Sequence, residues 1–400
     1  MTSITTENAS STPKNYVINQ WDDEVLDLKP GLLRGIYAFG FEKPSSIQQK
    51  ALYPMTSRPA KDIIAQAQSG TGKTGAFVTG TLQIIDETTP VTQALILAPT
   101  HELANQTKQV MDDIGRFLKI KTQLLVGGTS VEKDKQQLLE NTPHVVIGTP
   151  GRVHDMFRRK YLTSSTLKIL VIDEADEMLS SGFKEQMYKI FQYTPNEIQI
   201  GLFSATMPSD LQELTDKFLR HPVKILVKAE QLTLQGIAQY YINLEDDLQK
   251  YECIKDLFAS LTVSQAIIYC NSTRRVDDLQ EAMTSDNFPV KKIHGKMADD
   301  ERKAVHKEFK SGGCRVLITS DLFARGIDVQ QVSIVINFDI PRNEHTYLHR
   351  IGRSGRWGRK GIAINFQTKH DATRLKKFEE YYCTQITEMP SDYTRHLGLN

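Results

Sequence analysis

The sequence predicts an α/β protein of two domains, each a parallel sheet covered by helices. Its 400 residues suggest two or three domains at roughly 150 residues each. Apolar residues make up 40% and charged residues 24% of the chain, as in ordinary folded proteins. Short apolar runs recur between longer helical patterns, which is typical of parallel sheets with both faces covered.

The apolar runs fall into two series, which predict the strands of two separate sheets. The first series comprises residues 63–65, 94–97, 144–147, 169–172 and 200–203. The second comprises residues 266–269, 315–318, 334–336 and 363–366. The polar stretch 228–236 is predicted to be a linker, so the domains should span 21–227 and 237–400. Residues 1–20, rich in Ser, Thr and Asn, are expected to form a disordered tail.

Cysteine spacing and hydropathy exclude several classes of protein. The cysteines lie far apart, at Cys253, Cys270, Cys314 and Cys383, and indicate neither a disulfide framework nor a cysteine zinc site. No apolar run approaches the roughly 18 residues that a membrane helix needs, and the first residues contain no apolar signal segment. We therefore expect a cytoplasmic protein, with a nuclear location left open.

The charge of the chain is unevenly distributed. Residues 301–400 hold 17 basic and 11 acidic side chains, whereas residues 1–300 hold 32 and 37. The C-terminal quarter is therefore a candidate surface for a polyanion, although a solvated basic face would give the same count.

Residues 67–74 form a phosphate-binding loop after the first predicted strand. Its glycines allow successive backbone N–H groups to point at phosphate oxygens, Lys73 supplies a charge, and the Thr74 hydroxyl is placed to bind Mg²⁺. Because a strand precedes the segment and a helical pattern follows it, we favour this interpretation over an ordinary Ser/Gly loop. The expected nucleotide contacts here are Ser69, Gly70, Thr71, Gly72, Lys73 and Thr74.

Two carboxylates follow the strand at 169–172. Beside a phosphate loop, Asp173 is expected to hold Mg²⁺ through water, and Glu174 to orient or deprotonate the attacking water. An acidic surface turn is the alternative for these residues in isolation. The nearby phosphate loop argues against that alternative.

The tetrad Asp173-Glu174-Ala175-Asp176 and the phosphate loop together resemble the DEAD-box family of ATP-dependent RNA helicases, over about residues 21–392. The resemblance implies two RecA-like domains joined by a short linker, with ATP and Mg²⁺ as cofactors. It also implies RNA as the partner, bound mainly through its backbone and without sequence specificity.

The resemblance also assigns roles at the nucleotide. Residues 40–48 resemble the family's Q-motif, in which Gln48 reads adenine, because an amide can donate and accept at once. Phe41 and Lys43 belong to the same stretch. In the second domain the family pattern implies a ribose contact at Asp328 and arginine fingers at Arg353 and Arg356. The histidines show no metal-ligand spacing, so His349 is expected to form hydrogen bonds in the cleft rather than to bind a metal.

Further motifs imply RNA contacts and a coupling element. The coupling turn contains Ser204 and Thr206. The implied RNA contacts are Pro99, Thr100, Gly128, Thr149, Arg152, Asn271, Ser272 and Thr319. The chain departs from the family pattern at His101, in place of Arg, at Trp21, in place of an upstream Phe, and at Lys296 and Asp299 near the expected RNA surface.

The sequence and the resemblance predict an RNA-stimulated ATPase that unwinds RNA locally and non-processively. Several stretches are most similar to family members that act in translation initiation, which implies a HEAT-repeat scaffold of the cap-binding complex as a partner of a monomeric chain. An ATP-gated clamp that nucleates an exon-junction-type assembly is the alternative, and turnover on free RNA distinguishes the two. A DNA helicase is less favoured, because the Q-motif and the acidic tetrad together resemble RNA enzymes.

Overall fold

Two parallel sheets of seven strands each make up the core of the protein, as the sequence predicts. The computed structural model describes residues 16–67, 70–180, 182–225, 236–260, 265–321, 332–354 and 361–390. The order of the first sheet is β3-β4-β2-β5-β6-β1-β7, and that of the second is β10-β11-β9-β12-β13-β8-β14.

The strands are short and fall in two groups along the chain. The first sheet contains β1 (Ile63–Gln66), β2 (Ala94–Leu97), β3 (Thr122–Leu125), β4 (Val145–Gly148), β5 (Ile169–Asp173), β6 (Gln199–Ser204) and β7 (Val223–Ile225). The second contains β8 (Ile237–Asn243), β9 (Ala266–Cys270), β10 (Val290–Ile293), β11 (Val316–Ser320), β12 (Ile334–Asn337), β13 (Gly361–Gln367) and β14 (Thr387–Glu388).

Helices connect the strands and cover both sheets. The first domain contains α1 (Pro30–Ala38), α2 (Ser46–Thr56), α3 (Lys73–Ile84), α4 (His101–Ile114), α5 (Val131–Glu140), α6 (Pro150–Arg158), α7 (Ala175–Ser180), α8 (Lys184–Tyr193) and α9 (Ser209–Phe218). The second contains α10 (Asp247–Ser260), α11 (Thr273–Ser285), α12 (Asp299–Lys310), α13 (Glu344–Ile351) and α14 (Ala372–Tyr382).

Helices on both faces explain why the central strands are continuously apolar. In β1, Ile63 and Ala65 belong to one core cluster of the first domain, and Ile64 belongs to the other. Successive strand residues point to opposite faces, so a sheet covered on both sides requires apolar residues at every position.

The parallel order brings polar loops together at one edge of each sheet. In the first domain, the segments after β1, β2, β4, β5 and β6 all start at the carboxyl ends of parallel strands. Helices begin there at polar caps, as where the Thr100 hydroxyl accepts a hydrogen bond from Leu103 N at 3.2 Å. Ligands of open parallel sheets bind at this edge.

The sequence patterns missed five strands, which are mostly at the edges of the sheets. β3 and β7 are the two edges of the first sheet, and β10 and β14 those of the second. β3 alternates between half-buried and buried residues, because an edge position needs no continuous apolar run.

The first domain includes residues that the sequence analysis placed in the tail. Ile18, placed in the tail by the sequence analysis, is fully buried, and its N–H donates to the Gln49 carbonyl at 3.1 Å. The predicted linker 228–236 lies outside the described residues except for Gly236. Within the described part of the chain, no helix has the length and apolar character of a membrane span.

Candidate nucleotide site and nucleic-acid interface

The phosphate loop leads directly into α3. Gly72 precedes the helix with φ of +100°, a left-handed conformation that glycine adopts without strain. Lys73 is buried, and its Nζ donates to the Ala67 carbonyl at 2.9 Å and lies 3.3 Å from Glu174 Oε2. Thr74 is half-buried, while Gly70 and Thr71 are exposed. The N-terminus of α3 and Lys73 therefore form a positive site suited to phosphate.

Asp173 and Glu174 lie at the carboxyl end of β5 and differ in their electrostatic surroundings. Burial, followed by the neighbouring Glu174 charge, raises the pKa of Asp173 to about 7. Burial alone would also raise the pKa of Glu174, but Lys73 lowers it below its ordinary value, with help from His349 and Arg353. Glu174 is therefore the ionised carboxylate of the pair, as a proton acceptor must be.

An aromatic pair lies beside the phosphate loop. Phe41 stacks on Trp21 with ring centroids 6.0 Å apart and an angle of 10° between the planes. Trp21 is fully buried, so neither face of its ring is accessible to a base. Its contact with Phe41 instead supports that ring from the core. The upstream aromatic position of the family pattern is thus a core residue here.

Gln48 connects the start of α2 to the phosphate loop. Its Oε1 accepts a hydrogen bond from Ser45 N at 2.7 Å, and its Nε2 donates to the Gly72 carbonyl at 3.1 Å. A side-chain amide has two N–H donors and two acceptor lone pairs. One N–H and one lone pair of Gln48 therefore remain for the edge of a base. Lys43, from the same stretch, is exposed.

Gly75 makes room for both side chains. A Cβ at this position would lie 2.6 Å from Gln48 Nε2 and 2.8 Å from Phe41 Cε2. We expect Gly75→Ala to displace both groups and weaken ATP binding by about tenfold, since one misplaced recognition contact costs roughly 1 kcal/mol or more. Titration of a fluorescent ATP analogue measures the change. The control is Gly151→Ala, where an added Cβ meets nothing within 4 Å, and equal affinity of both variants would contradict the expectation.

Asp176 joins the two domains, and sequence reasoning gave it no separate role. Its Oδ2 accepts hydrogen bonds from Thr206 Oγ1 at 2.5 Å and Thr206 N at 3.2 Å. The same oxygen lies 3.0 Å from His349 Nε2 of the second domain. Ser204 Oγ accepts from Asp176 N at 3.3 Å. Asp176 thus connects the acidic tetrad both to the turn from Ser204 to Thr206 and to α13 of the second domain.

Arg353 lies beside this contact, at the end of α13. The side chain is buried, and its Nε donates to the His349 carbonyl at 3.3 Å. Its charge contributes to the lowered pKa of Glu174, so Arg353 lies near the acidic tetrad of the first domain. The predicted residues Ser69, Asp328 and Arg356 lie outside the described residues.

A pocket at the carboxyl edge of the first sheet collects several of the predicted RNA contacts. It has a volume of about 340 Å³ and is lined by Pro99, His101, Gly127, Thr149, Gly151, Arg152, Asp155 and Phe183. The predicted contact Thr100 is the buried N-cap of α4, and Gly128 has φ of +80° in the adjacent loop. Phe183 was missed by the sequence analysis, because one apolar residue after a helix carries no motif.

Arg152 has a structural partner as well as a place in this pocket. It forms a buried ion pair with Asp134 and donates from Nη2 to the Thr129 carbonyl at 2.8 Å. These bonds tie α6 to the loop after Gly128, so part of the guanidinium is already used within the protein. The motif predicted a phosphate contact, and the geometry adds a positioning role.

His101 is largely neutral at physiological pH. Burial lowers its pKa from the ordinary value of 6.5, Glu102 opposes this, and the charges of Arg302, Lys303 and Arg152 lower it further. A histidine with a lowered pKa becomes charged only in more acidic solution. His101 therefore adds little positive charge to the pocket near pH 7.

We expect His101→Arg to tighten RNA binding at about pH 7.5, because it adds a permanent charge beside the pocket. One added phosphate contact should steepen the dependence of log K on log salt by about 0.7 for single strands. The advantage should shrink in acid, where His101 itself gains a proton. Fluorescence anisotropy with single-stranded RNA measures this, and His370→Arg, at an exposed site, is the control. Equal dissociation constants for His101→Arg and the unmodified protein would contradict the expectation that His101 is a weak phosphate contact.

The second domain presents its predicted RNA contacts unequally. Ser272 is the exposed N-cap of α11 and accepts from Arg275 N at 3.3 Å. Asn271 is half-buried, and its Oδ1 accepts from Arg350 Nη2 at 2.7 Å. Thr319 is fully buried, and its hydroxyl donates to the Ser320 carbonyl at 3.1 Å. The Thr319 side chain therefore has no exposed surface, and the RNA contact that the motif implies for this residue stays a prediction.

Comparisons with known protein families match both domains. A family described as DEAD/DEAH box helicase matches residues 45–214, and one described as helicase conserved C-terminal domain matches residues 249–358. The chain is 54% identical over 378 residues to eukaryotic initiation factor 4A of Caenorhabditis elegans, covering 94% of this chain and 93% of the relative. It is 51% identical over 391 residues to ATP-dependent RNA helicase eIF4A of Neurospora crassa, covering 96% and 98%.

Solved structures show a similar arrangement of two domains. S. cerevisiae Dbp5 bound to RNA and ADP BeF3 has a TM-score of 0.87 at 36% identity, covering 94% of this chain and 97% of that chain. A Dbp5 variant bound to Nup159, a Gle1 variant, IP6 and ADP has a TM-score of only 0.64 at 34% identity, covering 92% and 97%. The arrangement here resembles the RNA-bound structure more.

Proposed function

The chain belongs to the DEAD-box family of ATP-dependent RNA helicases, and from this premise we propose that it separates short RNA duplexes in translation initiation by closing its domains on ATP and RNA. The observation that carries this proposal is the 3.0 Å contact between His349 Nε2 and Asp176 Oδ2. It connects the second domain to the acidic tetrad beside the phosphate site.

The phosphate end of ATP is proposed to bind at Lys73 and the N-terminus of α3. Lys73 is already held by the Ala67 carbonyl and Glu174, so its ammonium group is fixed before ATP arrives. The proposed adenine contacts are Phe41 and Gln48, whose places are fixed by Trp21 and Gly72. Prepositioned contacts reduce the entropy that binding costs.

The acidic end of β5 fits Mg²⁺. Asp173 and Glu174 are buried neighbours, and burial together with the negative charge of Glu174 raises the pKa of Asp173. A cation at this place would favour the ionised form of Asp173, and hard carboxylate oxygens are ligands that Mg²⁺ prefers. The described residues contain no group of three or more His, Cys, Asp or Glu that could hold a metal. The proposed ion is held largely by water and phosphate, with Asp173 and the Thr74 hydroxyl as its protein contacts. When bound, Mg²⁺ would neutralise phosphate charge.

Glu174 is the proposed base for the attacking water. It has φ of +46°, an uncommon conformation for a residue other than glycine, and this turn places its side chain against Lys73. The lowered pKa keeps it ionised, so it can accept a proton or a hydrogen bond from water. Arg353, and Arg356 from outside the described residues, would stabilise charge on the γ-phosphate from the second domain.

RNA binding is proposed to favour the closed arrangement, and hydrolysis to release it. The pocket lined by His101 and Arg152, which we call the RNA-facing pocket, lies with the phosphate site at the carboxyl edge of the first sheet. From that edge, Thr206 binds Asp176, and Asp176 contacts His349 of the second domain. A ligand that contacts both domains stabilises the closed state only through its stronger binding to that state. We further propose a cytoplasmic location and a HEAT-repeat scaffold as partner, on the strength of the relatives' role as initiation factors.

Strand displacement on a short RNA duplex tests the function. We expect a duplex of about ten base pairs, weak enough for local unwinding, to be separated when RNA is in excess over the protein and ATP is present. With a non-hydrolysable analogue, each protein molecule can act once at most, so most of the excess duplex should stay paired. An ATP-gated clamp would instead hold single-stranded RNA for long periods with slow turnover and no displacement. That outcome would contradict the helicase role in this proposal.

A further inference from the structure

A basic surface with an exposed aromatic ring lies far from the sites described above. We call it the Phe117 patch, and it consists of Arg34, Arg116, Phe117, Lys119 and Lys121. All five residues are exposed, and 38% of the Phe117 surface is accessible. Tyr37, one turn after Arg34 on α1, is 46% exposed and adds a second aromatic side chain.

Two glycines bring the parts of the patch together. α1 crosses the end of α4 so closely that a Cβ on Gly35 would lie 1.8 Å from the Ile114 carbonyl oxygen. A Cβ on Gly31 would lie 2.8 Å from the Phe117 carbonyl oxygen. This close approach places the Arg34 guanidinium carbon 4.1 Å from the centroid of the Phe117 ring. Packing of α1 against the end of α4 thus places the Arg34 guanidinium over the Phe117 ring, at the distance of a cation–π contact.

The cations of the patch lack acidic partners. Among the described residues, the side chains of Arg34, Arg116, Lys119 and Lys121 form no ion pair. One carboxylate lies at the border of the patch, where Glu87 Oε2 accepts a hydrogen bond from Lys119 N at 2.7 Å. Elsewhere on the same surface, cations are paired, as in Lys108 with Asp112 at 2.5 Å on α4. Four clustered cations whose side chains are unpaired exceed the one carboxylate of Glu87, and such an excess creates a positive potential that attracts an anionic partner.

The location separates the patch from the RNA-facing pocket. His101 begins α4 at the carboxyl edge of the sheet, and the patch follows the other end of this helix of 14 residues. A helix rises about 1.5 Å per residue, so the two regions are roughly 20 Å apart. The loop 116–121 leads into the amino end of β3, whereas the RNA-facing pocket lies at the carboxyl ends of the strands.

We propose that the Phe117 patch binds an acidic segment of a protein partner. Carboxylates would approach the free edges of the Arg34 and Arg116 guanidinium groups, and an apolar side chain of the segment would pack beside Tyr37 and Phe117. A carboxylate can accept two parallel hydrogen bonds from one guanidinium. Arg34 already covers a face of Phe117, which a stacked nucleobase would need, so the geometry favours a peptide over RNA. This inference does not depend on the proposed function.

The probe is a fluorescein-labelled peptide of Glu residues with two Phe residues, titrated by anisotropy into the full chain at low salt. We expect the unmodified protein to bind it, and Arg34→Glu/Arg116→Glu to weaken binding by about tenfold or more, because the central cations are reversed. The matched control is Lys189→Glu/Lys255→Glu. It makes the same change in net charge at two cations that already have partners, Glu185 and Glu252.

Further readouts separate docking from folding and from RNA binding. Arg34→Lys keeps the charge and removes the planar contact with Phe117, so it should weaken peptide binding while the melting temperature stays unchanged. RNA-stimulated ATP hydrolysis should be the same in the patch variant and the control. The proposal is overturned if the unmodified protein does not bind the peptide, or if both double variants lose binding equally. It is also overturned if the patch variant loses affinity for single-stranded RNA rather than for the peptide.

Discussion

Replacing Glu174 with Gln is expected to stop ATP turnover while leaving ATP and RNA binding intact. The amide keeps the size of the side chain but cannot accept a proton, and general-base catalysis contributes about 10²- to 10⁴-fold. The turn at Glu174 and its 3.3 Å contact with Lys73 hold the side chain beside the phosphate site, so the loss should fall on the rate constant. Steady-state phosphate release at saturating ATP and RNA measures it.

Two comparisons complete the Glu174 experiment. Glu185→Gln changes the same chemical group on the exposed side of α8 and should leave turnover unchanged. RNA affinity in the presence of ATP should be retained or increased in Glu174→Gln, because the closed state is no longer released by hydrolysis. Turnover equal to that of the unmodified protein would contradict the base role.

Arg353→Ala is expected to cause a loss of hydrolysis of about 10³- to 10⁵-fold, the range known for arginine fingers. Arg353 is buried in the cleft, and its charge lowers the pKa of Glu174 in the other domain. The guanidinium acts on charge that develops in the transition state, so ATP affinity should stay within a few fold of its original value.

Single-turnover hydrolysis, with ATP affinity measured in parallel, tests this second prediction. Arg342→Ala removes the same side chain from an exposed position before α13 and should have little effect on either quantity. If Arg353→Ala mainly lost ATP binding and kept its rate at saturating ATP, Arg353 would be a binding residue and not a finger.

Motifs in the sequence identified the chemistry of the site better than its geometry. The phosphate loop and the Asp173-Glu174 pair could be placed because each follows an apolar run that ends at the carboxyl edge of a parallel sheet. Asp176 belongs to the same tetrad, but its part in joining the domains depends on contacts with Thr206 and His349. Those residues lie far away in sequence, so local patterns could not reveal the contact.

Burial was the property hardest to predict from the sequence. Trp21 matches a family position expected near adenine, yet it is enclosed by the core and supports Phe41. Thr319 matches an RNA-binding motif, yet its side chain is enclosed at the end of β11. The burial of both side chains depends on tertiary packing, which local sequence patterns do not show. The edge strands were missed for the related reason that a half-exposed strand needs few apolar residues.

The central claim is that the two domains couple RNA binding to ATP hydrolysis. The most direct measurement is the steady-state rate of ATP hydrolysis without nucleic acid, with single-stranded RNA, and with single-stranded DNA of the same sequence. We predict stimulation by RNA alone, because the 2′-hydroxyl distinguishes the two nucleic acids. Equal stimulation by RNA and DNA, or a rate unaffected by either, would contradict the account.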